Sequence, residues 1–134
     1  MQKIAADMNY WRTTFTLSGE EHDGRYDVRI FTSQEEVSFA GHPTLGTAYV
    51  IAREIEAEPI ERISLNLEAG RIPVSFGDVC WMRQPSPTFG HAFTSGRLSR
   101  VLGVEDVDLD GWLPIQEVSA RLPCIVTPLE NLEP

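Results

Sequence analysis

The sequence is short of the residues and patterns that mark several classes of protein. It has 2 cysteines in 134 residues, Cys80 and Cys124, too few for a disulfide framework and without the spacing of a zinc site. Both lie in apolar, strand-like runs, so we expect buried thiols in a reducing compartment. The chain also has no apolar run long enough to cross a bilayer, no signal-peptide pattern, no internal repeat and no low-complexity segment. These absences favour a cytoplasmic globular protein.

Basic residues are scarce as well. The chain carries 11 lysines and arginines against 20 aspartates and glutamates, which gives a formal net charge of −9. Nucleic acids and anionic membranes both need a basic face on their partner, so neither is expected to bind here. The length suits one domain with a hydrophobic core, and we expect residues 1–134 to form a single domain.

What the sequence does have is one long apolar helix with an unusual beginning. Residues 39–46 read as the end of a strand, a tight turn and a helix start, with Gly41 leaving the backbone open to close approach. Pro43 suits the first helical position, which makes His42 the predicted N-cap. The helix is predicted from Thr44 to about Glu56. Its apolar residues cover nearly the whole circumference, which predicts burial on all sides.

Most of the remaining chain alternates between apolar and polar residues, as strands do. We predict strands over 13–17, 26–32 and 37–39, a three-stranded meander over 63–83, and two more strands over 115–119 and 122–127. A first helix over 2–8, ending at Asn9, and a short helix over 96–102 complete the prediction. The expected fold class is therefore α+β, a strongly curved mixed sheet wrapped around one central buried helix.

Three stretches give this sequence a resemblance to a known family. They are Arg29-Ile30-Phe31-Thr32 followed by Phe39-Ala40-Gly41-His42-Pro43-Thr44-Leu45-Gly46, then Met8-Asn9 with Thr13-Thr14-Phe15, then Trp81-Met82-Arg83-Gln84-Pro85 with Leu113-Pro114-Ile115-Gln116. Together they resemble the PhzF family, the isomerases related to phenazine biosynthesis. The resemblance implies a diaminopimelate epimerase-like fold and a proton-shifting isomerase that uses no cofactor and no metal.

The resemblance also implies parts that this sequence does not contain. Members of the family have two such domains related by a pseudo-twofold axis, with the active site in the cleft between them. The sequence matches the N-terminal domain alone, without the family's opening strand and its Gly-Asn-Pro signature. The catalytic aspartate and the Gly-Ser loop of the second domain have no counterpart here. We therefore expect an incomplete half-domain.

One departure falls on a catalytic position. In the family, the glutamate of a Ser-Glu-Thr-Thr-Phe stretch moves the substrate proton. When Thr13-Thr14-Phe15 are aligned with that stretch, Arg12 stands at the glutamate's place and Trp11 at the serine's. An arginine, with a pKa above about 12, cannot accept a proton near neutral pH. Arg12 is interpreted as a neutral replacement in a dead site, as a new carboxylate-binding residue, or as a simple surface residue.

His42 is the candidate surviving catalytic residue. It would line the cleft, remain neutral beside the positive end of the helix and hydrogen-bond a substrate carbonyl or carboxylate; the alternative is a structural helix cap. Gly41 and Thr44 are the candidate substrate-binding residues, since their backbone N–H groups lie where a helix N-terminus holds anions.

Other polar and aromatic residues are interpreted structurally. His22, His91, Glu35 and Glu36 are expected in solvated turns, and Trp81 and Trp112 in the core or at its rim. Asp106, Asp108 and Asp110 have a spacing like that of a calcium loop, but without its glycine, its terminal glutamate and its helices they predict a solvated turn.

Three functions remain open from the sequence. The first is an isomerase-family domain that is inactive by itself because of Arg12 and the missing half. The second is a functional half that acts on a small carboxylate substrate in a composite site, shared with a second copy or with a separate second-domain chain. The third is a non-catalytic interaction domain, whose unprotected sheet edge or slot beside the central helix would recruit partners.

Overall fold

In the computed structural model, residues 1–17 and 25–131 are described, and they divide into two units, Met1–Pro85 and Ser86–Pro134. The first unit contains helix α1 (Gln2–Met8), strands β1 (Thr13–Thr16), β2 (Arg25–Phe31) and β3 (Glu36–Val37), and helix α2 (Gly41–Val50) continued by a π-helical turn (Ile51–Ile55). Strands β4 (Arg62–Leu67), β5 (Gly70–Ser75) and β6 (Trp81–Met82) follow. His22, which was predicted to lie in a solvated turn, is outside the described residues.

The first unit is built on a mixed sheet. Its strands run in the order β1-β2-β4-β5-β6, and the short β3 pairs with β2. The β2–β4 pair is parallel and the other pairs are antiparallel. Because β2 alternates, one face of it carries the buried residues Tyr26, Val28 and Ile30 and the other carries Asp27 and Arg29. The expectation of an α+β fold with a curved mixed sheet is confirmed.

One face of α2 closes the core of this unit. Ala48 and Ile51 are almost completely buried and pack in one cluster with the inward-facing side chains of β2, β4 and β5. Burial on all sides, however, was a wrong prediction: Tyr49 is 50% exposed, Val50 52% and Ile55 42%. The helix is apolar all round, but the described strands cover only one side of it.

The helix boundaries also differ from the prediction. Helix α2 begins at Gly41, three residues before Thr44, and its regular part ends at Val50. In the π-helical turn, the Glu56 N–H donates to the Ile51 carbonyl at 3.0 Å, five residues back. Glu56 itself is extended, with φ −73° and ψ 132°, so the chain leaves the helix there. The first helix, α1, is confirmed, and Asn9 ends it in the left-handed conformation at φ 51°.

The second unit holds a small antiparallel sheet and one helix. Strands β7 (Thr88–Phe93), β8 (Ile115–Ser119) and β9 (Pro123–Val126) pair in that order, with α3 (Ser95–Leu102) and a 3₁₀ turn (Asp106–Asp108) between β7 and β8. Its core contains Leu98, Leu109 and Ile115. Strand β7 was not predicted, because Gly90 and two nearby prolines hide its alternation. A bulge between Phe89 and Ala92 marks the glycine's position.

Several single-residue predictions change with the structure. Cys124 is exposed rather than buried, Cys80 is half-buried, and Trp112 is 93% exposed rather than in the core or at its rim. His91 lies in β7, edge-on to Phe93, and not in a turn. The three aspartates do form a turn: Asp108 accepts a hydrogen bond from the Glu105 N–H as part of a capping box. No group of residues suited to hold a metal ion occurs in the described ranges.

Glu36 is not in a solvated turn but in β3, where it faces Arg29. The guanidinium donates to both carboxylate oxygens, at 2.7 Å from Nε to Oε1 and 2.5 Å from Nη2 to Oε2. This hydrogen bonding lowers the pKa of the Glu36 carboxyl below its ordinary value of 4.5. The stabilisation that it adds is thus present above that ordinary value and is lost as the pH falls through the lowered pKa of the folded state.

We expect Glu36→Gln to lower the melting temperature slightly at neutral pH, and we expect this difference to disappear as the pH falls through the lowered pKa of the Glu36 carboxyl. Thermal unfolding of both proteins at a series of pH values measures this. Glu35→Gln is the matched control, because the Glu35 side chain makes no bond among the described residues. If the difference in melting temperature between Glu36→Gln and the wild type grew towards acid pH, the stabilising role given to the Arg29–Glu36 bond would be contradicted.

Candidate functional site

The start of helix α2 is where the sequence placed the site. Ala40 is the N-cap, in an extended conformation at φ −153° and ψ 126°, so the prediction of His42 as N-cap was wrong. Gly41, His42 and Pro43 are the first three helical residues. Pro43 is tolerated at the third position for the same reason as at the first, since the N–H groups of a first turn have no partner within the helix.

In the first turn of α2, some N–H groups have a hydrogen-bond acceptor and others do not. Thr44 donates twice to the Ala40 carbonyl, from its backbone N–H at 3.1 Å and from its hydroxyl at 2.7 Å. Its side chain is fully buried. The N–H groups of Gly41 and His42 have no acceptor within the helix. Of the two predicted anion-binding residues, Gly41 therefore offers an open donor and Thr44 stabilises the turn.

The His42 side chain is exposed and makes no hydrogen bond among the described residues. Gly41 is half-buried, and a β-carbon placed on it would lie 3.7 Å from the Met82 Cε, an ordinary contact. The packing of this unit therefore does not itself require a glycine at position 41. The helix start presents a backbone with two open donors beside an imidazole in contact with water.

Arg12 lies just before β1, between two exposed aromatic residues and the sheet. Its guanidinium carbon is 5.2 Å from the centre of the Trp11 ring, and Nη1 donates to the Trp11 carbonyl at 2.7 Å. No carboxylate pairs with it in the described parts of the chain. The group is therefore a charged donor that is held by its neighbour and still has free N–H groups.

Arg12 also opens onto a groove between β1 and α2, which we call the β1–α2 groove. Its volume is about 370 Å³, and it is lined by Arg12, Thr14, Thr16, Pro43, Gly46, Thr47, Val50, Ile51 and Ile55. The Thr47 hydroxyl donates to that of Thr14 at 2.8 Å and ties the helix to the strand. The structure thus brings Arg12 and the first turn of α2, through Pro43, to one groove. Gly41, His42 and Thr44 do not line it.

The chemistry of the groove is limited by what lines it. One cation, three hydroxyls and an apolar wall can bind an anion with an apolar body. The nine lining residues include no aspartate, glutamate, histidine, cysteine or lysine, so the groove itself has no group that exchanges a proton near neutral pH. The lining therefore offers groups that can bind an anion but no general base.

A second cavity lies at the opposite end of the helix and was not anticipated. It has a volume of about 350 Å³ and includes Tyr49, Arg53, Glu56 and Cys80 in its lining. Tyr26 donates to Glu56 at 2.6 Å from the core side. The π-helical turn shapes this cavity, and no local sequence signal distinguishes such a turn from an α-helix.

The mixed curved sheet packed on one helix is a diaminopimelate epimerase-like fold. The chain is similar over 99% of its length to the solved PhzF-family phenazine biosynthesis protein of Bacillus anthracis, with a TM-score of 0.82 and 31% identity. The fold also matches that of a predicted epimerase from Pseudomonas aeruginosa, with a TM-score of 0.76 at 24% identity over 96% of the chain.

The chain belongs to the phenazine biosynthesis-like protein family, PhzC-PhzF, whose family model matches residues 1–134. It is 37% identical over 111 residues to the trans-2,3-dihydro-3-hydroxyanthranilate isomerase of Pseudomonas aeruginosa, covering 78% of this chain and 38% of that protein. It is also 34% identical to an uncharacterised isomerase of Deinococcus radiodurans, in an alignment that covers 100% of this chain and 47% of that protein. The chain therefore spans less than half the length of the relatives and neighbours it matches, and covers 46% and 48% of the two solved chains. No helix among the described residues is long and apolar enough to cross a membrane.

The hydrogen bonds of Thr44 predict a structural effect for its substitution. We expect Thr44→Val to lower the free energy of unfolding by about 1 kcal/mol, because a buried hydroxyl bond is lost while the shape is kept. Urea unfolding measures the change. Thr94→Val, at an exposed helix cap whose side chain makes no capping bond, is the control and should stay within about 0.5 kcal/mol of the wild type. Equal losses in the two variants would contradict the role given to Thr44.

Proposed function

We propose that this chain is a PhzF-family domain that binds a small carboxylate-bearing molecule and does not isomerise it unaided. The observation that carries the proposal is Arg12, which stands where the family's proton-moving glutamate is expected and opens onto the β1–α2 groove without an acidic partner among the described residues. A guanidinium at that place can hold a carboxylate in a bidentate hydrogen bond but cannot take up a proton.

The surrounding residues support binding over catalysis. A general base must be within hydrogen-bond reach of the proton that it removes and must have a pKa near the working pH. The β1–α2 groove supplies no such group, and His42 is exposed outside it. In this proposal Arg12 holds the carboxylate, and the open N–H groups of Gly41 and His42 offer a second place for negative charge. Thr44 stabilises that turn through its two hydrogen bonds to the Ala40 carbonyl.

The substrate class is suggested by a relative's name. The Pseudomonas aeruginosa protein is named as an isomerase of trans-2,3-dihydro-3-hydroxyanthranilate, a molecule with one carboxylate on a ring. A carboxylate on an apolar body fits the cation and the apolar wall of the groove. We propose no cofactor and no metal for this binding, and a cytoplasmic location, in which Cys80 and the exposed Cys124 stay reduced.

The main alternative is a composite active site. The two open donors at the start of α2 are those of a helix that still has the family's Gly41-His42-Pro43-Thr44 sequence, and the chain spans less than half the length of its relatives. A second copy of this chain, or a separate chain with the second domain, would then supply the acid and base. This alternative predicts that turnover appears on mixing the two halves and is absent from either alone.

The test uses trans-2,3-dihydro-3-hydroxyanthranilate in deuterated buffer with the purified chain. We expect binding in calorimetry, and neither isomerised product nor deuterium incorporation in mass spectrometry beyond the rate without protein. Arg12→Gln should weaken binding tenfold or more, because a hydrogen bond to a charged group contributes about 1.5–3 kcal/mol. Arg71→Gln, an exposed arginine on β5, is the matched control and should bind like the wild type.

Two results would contradict the proposal. Product formation by the wild-type chain, lost in His42→Ala, would make it a stand-alone isomerase. Unchanged binding in Arg12→Gln would remove Arg12 from the site. A further experiment uses the Arg12→Glu variant. If this variant incorporates deuterium into the substrate, the groove orients the substrate correctly for catalysis, and Arg12 alone prevents the reaction in the wild-type chain.

A further inference from the structure

The outer face of the β4–β5–β6 meander points away from helix α2 and is polar. On β4 and β5, the buried side chains, among them Ile63 and Val74, pack in the core with α2. Because successive side chains of a strand point to opposite faces, Arg62 and Ser75 point outward. This outer face is separate from β1 and from the exposed side of α2, which together form the β1–α2 groove.

The strand register places an arginine of β4 and an aromatic ring of β6 in one row across this face. Arg62 is opposite Ser75, and Ser75 is opposite Trp81. The Arg83 N–H donates to the Pro73 carbonyl at 3.1 Å, which continues the pairing and puts Arg83 on the same face, one row further along. From the spacing of strands and of residues within a strand, the α-carbons of Arg62 and Arg83 are about 12 Å apart. Two arginine side chains can bridge that distance by meeting at one anion.

These residues line a cavity, which we call the Trp81 cavity. Its volume is about 530 Å³, against about 370 Å³ for the β1–α2 groove, and its lining includes Arg62, Pro73, Ser75, Trp81 and Arg83. Trp81, which the sequence analysis placed in the core or at its rim, is 70% exposed. The cavity therefore has an indole ring on which a flat ligand can stack.

The charge of the Trp81 cavity is opposite in sign to that of the chain. Its lining contains two arginines and no aspartate or glutamate, whereas the whole sequence carries a net charge of −9. Neither Arg62 nor Arg83 forms an ion pair with a carboxylate in the parts of the chain that the structure describes. Both guanidinium groups therefore keep their donors for an anion that comes from outside.

Two cations beside an exposed indole favour a ligand with two different parts. The guanidinium groups suit a phosphate, whose oxygens accept bidentate hydrogen bonds, and the Trp81 ring suits a planar base. A nucleotide has both parts. A long nucleic acid is a poorer occupant, because the net charge of −9 repels a polyanion.

We propose that the Trp81 cavity binds a free nucleotide, with its base stacked on Trp81 and its phosphates between Arg62 and Arg83. The Ser75 hydroxyl, in the row between Arg62 and Trp81, adds a neutral donor. This cavity shares no lining residue with the β1–α2 groove. Nucleotide binding is therefore independent of the carboxylate binding proposed at Arg12, and either can fail without the other.

The test is a calorimetric titration of the purified chain with adenosine diphosphate, and with adenosine and pyrophosphate separately. We expect saturable binding of adenosine diphosphate and at least tenfold weaker binding of each part, because neither part contacts both the ring and the two arginines. The affinity for adenosine diphosphate should fall as the salt concentration rises, since the arginines are exposed and their charge is screened.

Variants of the chain locate the nucleotide. Arg62→Gln and Arg83→Gln should each weaken adenosine diphosphate at least tenfold, because each removes charged hydrogen bonds. Trp81→Ala should weaken adenosine diphosphate about tenfold and leave pyrophosphate unchanged, a difference that a general loss of structure would not produce. Trp112→Ala and Arg100→Gln, at exposed positions of the second unit, are the matched controls and should bind like the wild type. Circular dichroism checks that each variant is folded.

Four outcomes would overturn the proposal. One is a folded wild-type chain that does not bind adenosine diphosphate. Another is equal affinity of the wild type, Arg62→Gln and Arg83→Gln, which would place the nucleotide elsewhere. The third is an equal loss of adenosine diphosphate and pyrophosphate binding in Trp81→Ala, which would exclude stacking of the base. The fourth is tighter binding of a single-stranded oligonucleotide than of adenosine diphosphate, which would assign the cavity to nucleic acid.

Discussion

The first unit depends on the burial of one face of helix α2 against β2, β4 and β5. Two fully buried residues of the helix side, Ala48 and Ile51, meet inward-facing aliphatic side chains such as Leu65 and Ile72. Each buried side chain of this size contributes about 1.5–3 kcal/mol relative to leaving it in water. That contact fixes the position of the helix start, and through it the backbone donors of Gly41 and His42. The opposite face of the helix has no such cover among the described strands.

The start of helix α2 is stabilised independently of the chemistry that the proposed function gives to the groove. The helix start keeps its form because Thr44 ties it to the Ala40 carbonyl, whatever the chemistry nearby. Proton transfer, in contrast, depends on single side chains, and under the proposed function one of those positions carries Arg12. A fold supported by many contacts can persist where a reaction that depends on a few groups does not. Family membership and activity are therefore separate conclusions for this chain.

Alternation and helix periodicity predicted most of the fold. Strands β2, β4 and β5 follow directly from residues such as Tyr26, Val28 and Ile30, whose period matches that of a half-buried strand. The extent of burial around α2 could not be predicted, because an apolar helix shows what it could bury and not how many strands are present to cover it. Strand β7 was missed because a bulge interrupts its alternation. Cys124 was misjudged because an apolar strand at a sheet edge can still face water.

Only those parts of the candidate site that depend on local backbone conformation could be predicted from the sequence. The helix start was predicted to within three residues, yet the N-cap is Ala40 and not His42, since an extended residue without a capping side chain leaves no sequence signal. The β1–α2 groove depends on the register of β1 and on the exposed side of α2, which are tertiary facts. Thr14, Thr16 and Val50 were therefore not foreseen as lining residues.

The proposed function depends on the groove formed where β1 ends the sheet beside the exposed side of α2. Amide hydrogen exchange in the monomeric chain, with its mass checked by sedimentation, tests it most directly. Phe15 provides an internal reference, because its N–H bonds inward to β2 while those of its neighbours Thr14 and Thr16 point outward. We predict slow exchange at Phe15 and fast exchange at both threonines. Equally slow exchange at all three residues in a monomer would contradict it, since the edge would then be covered by the chain itself.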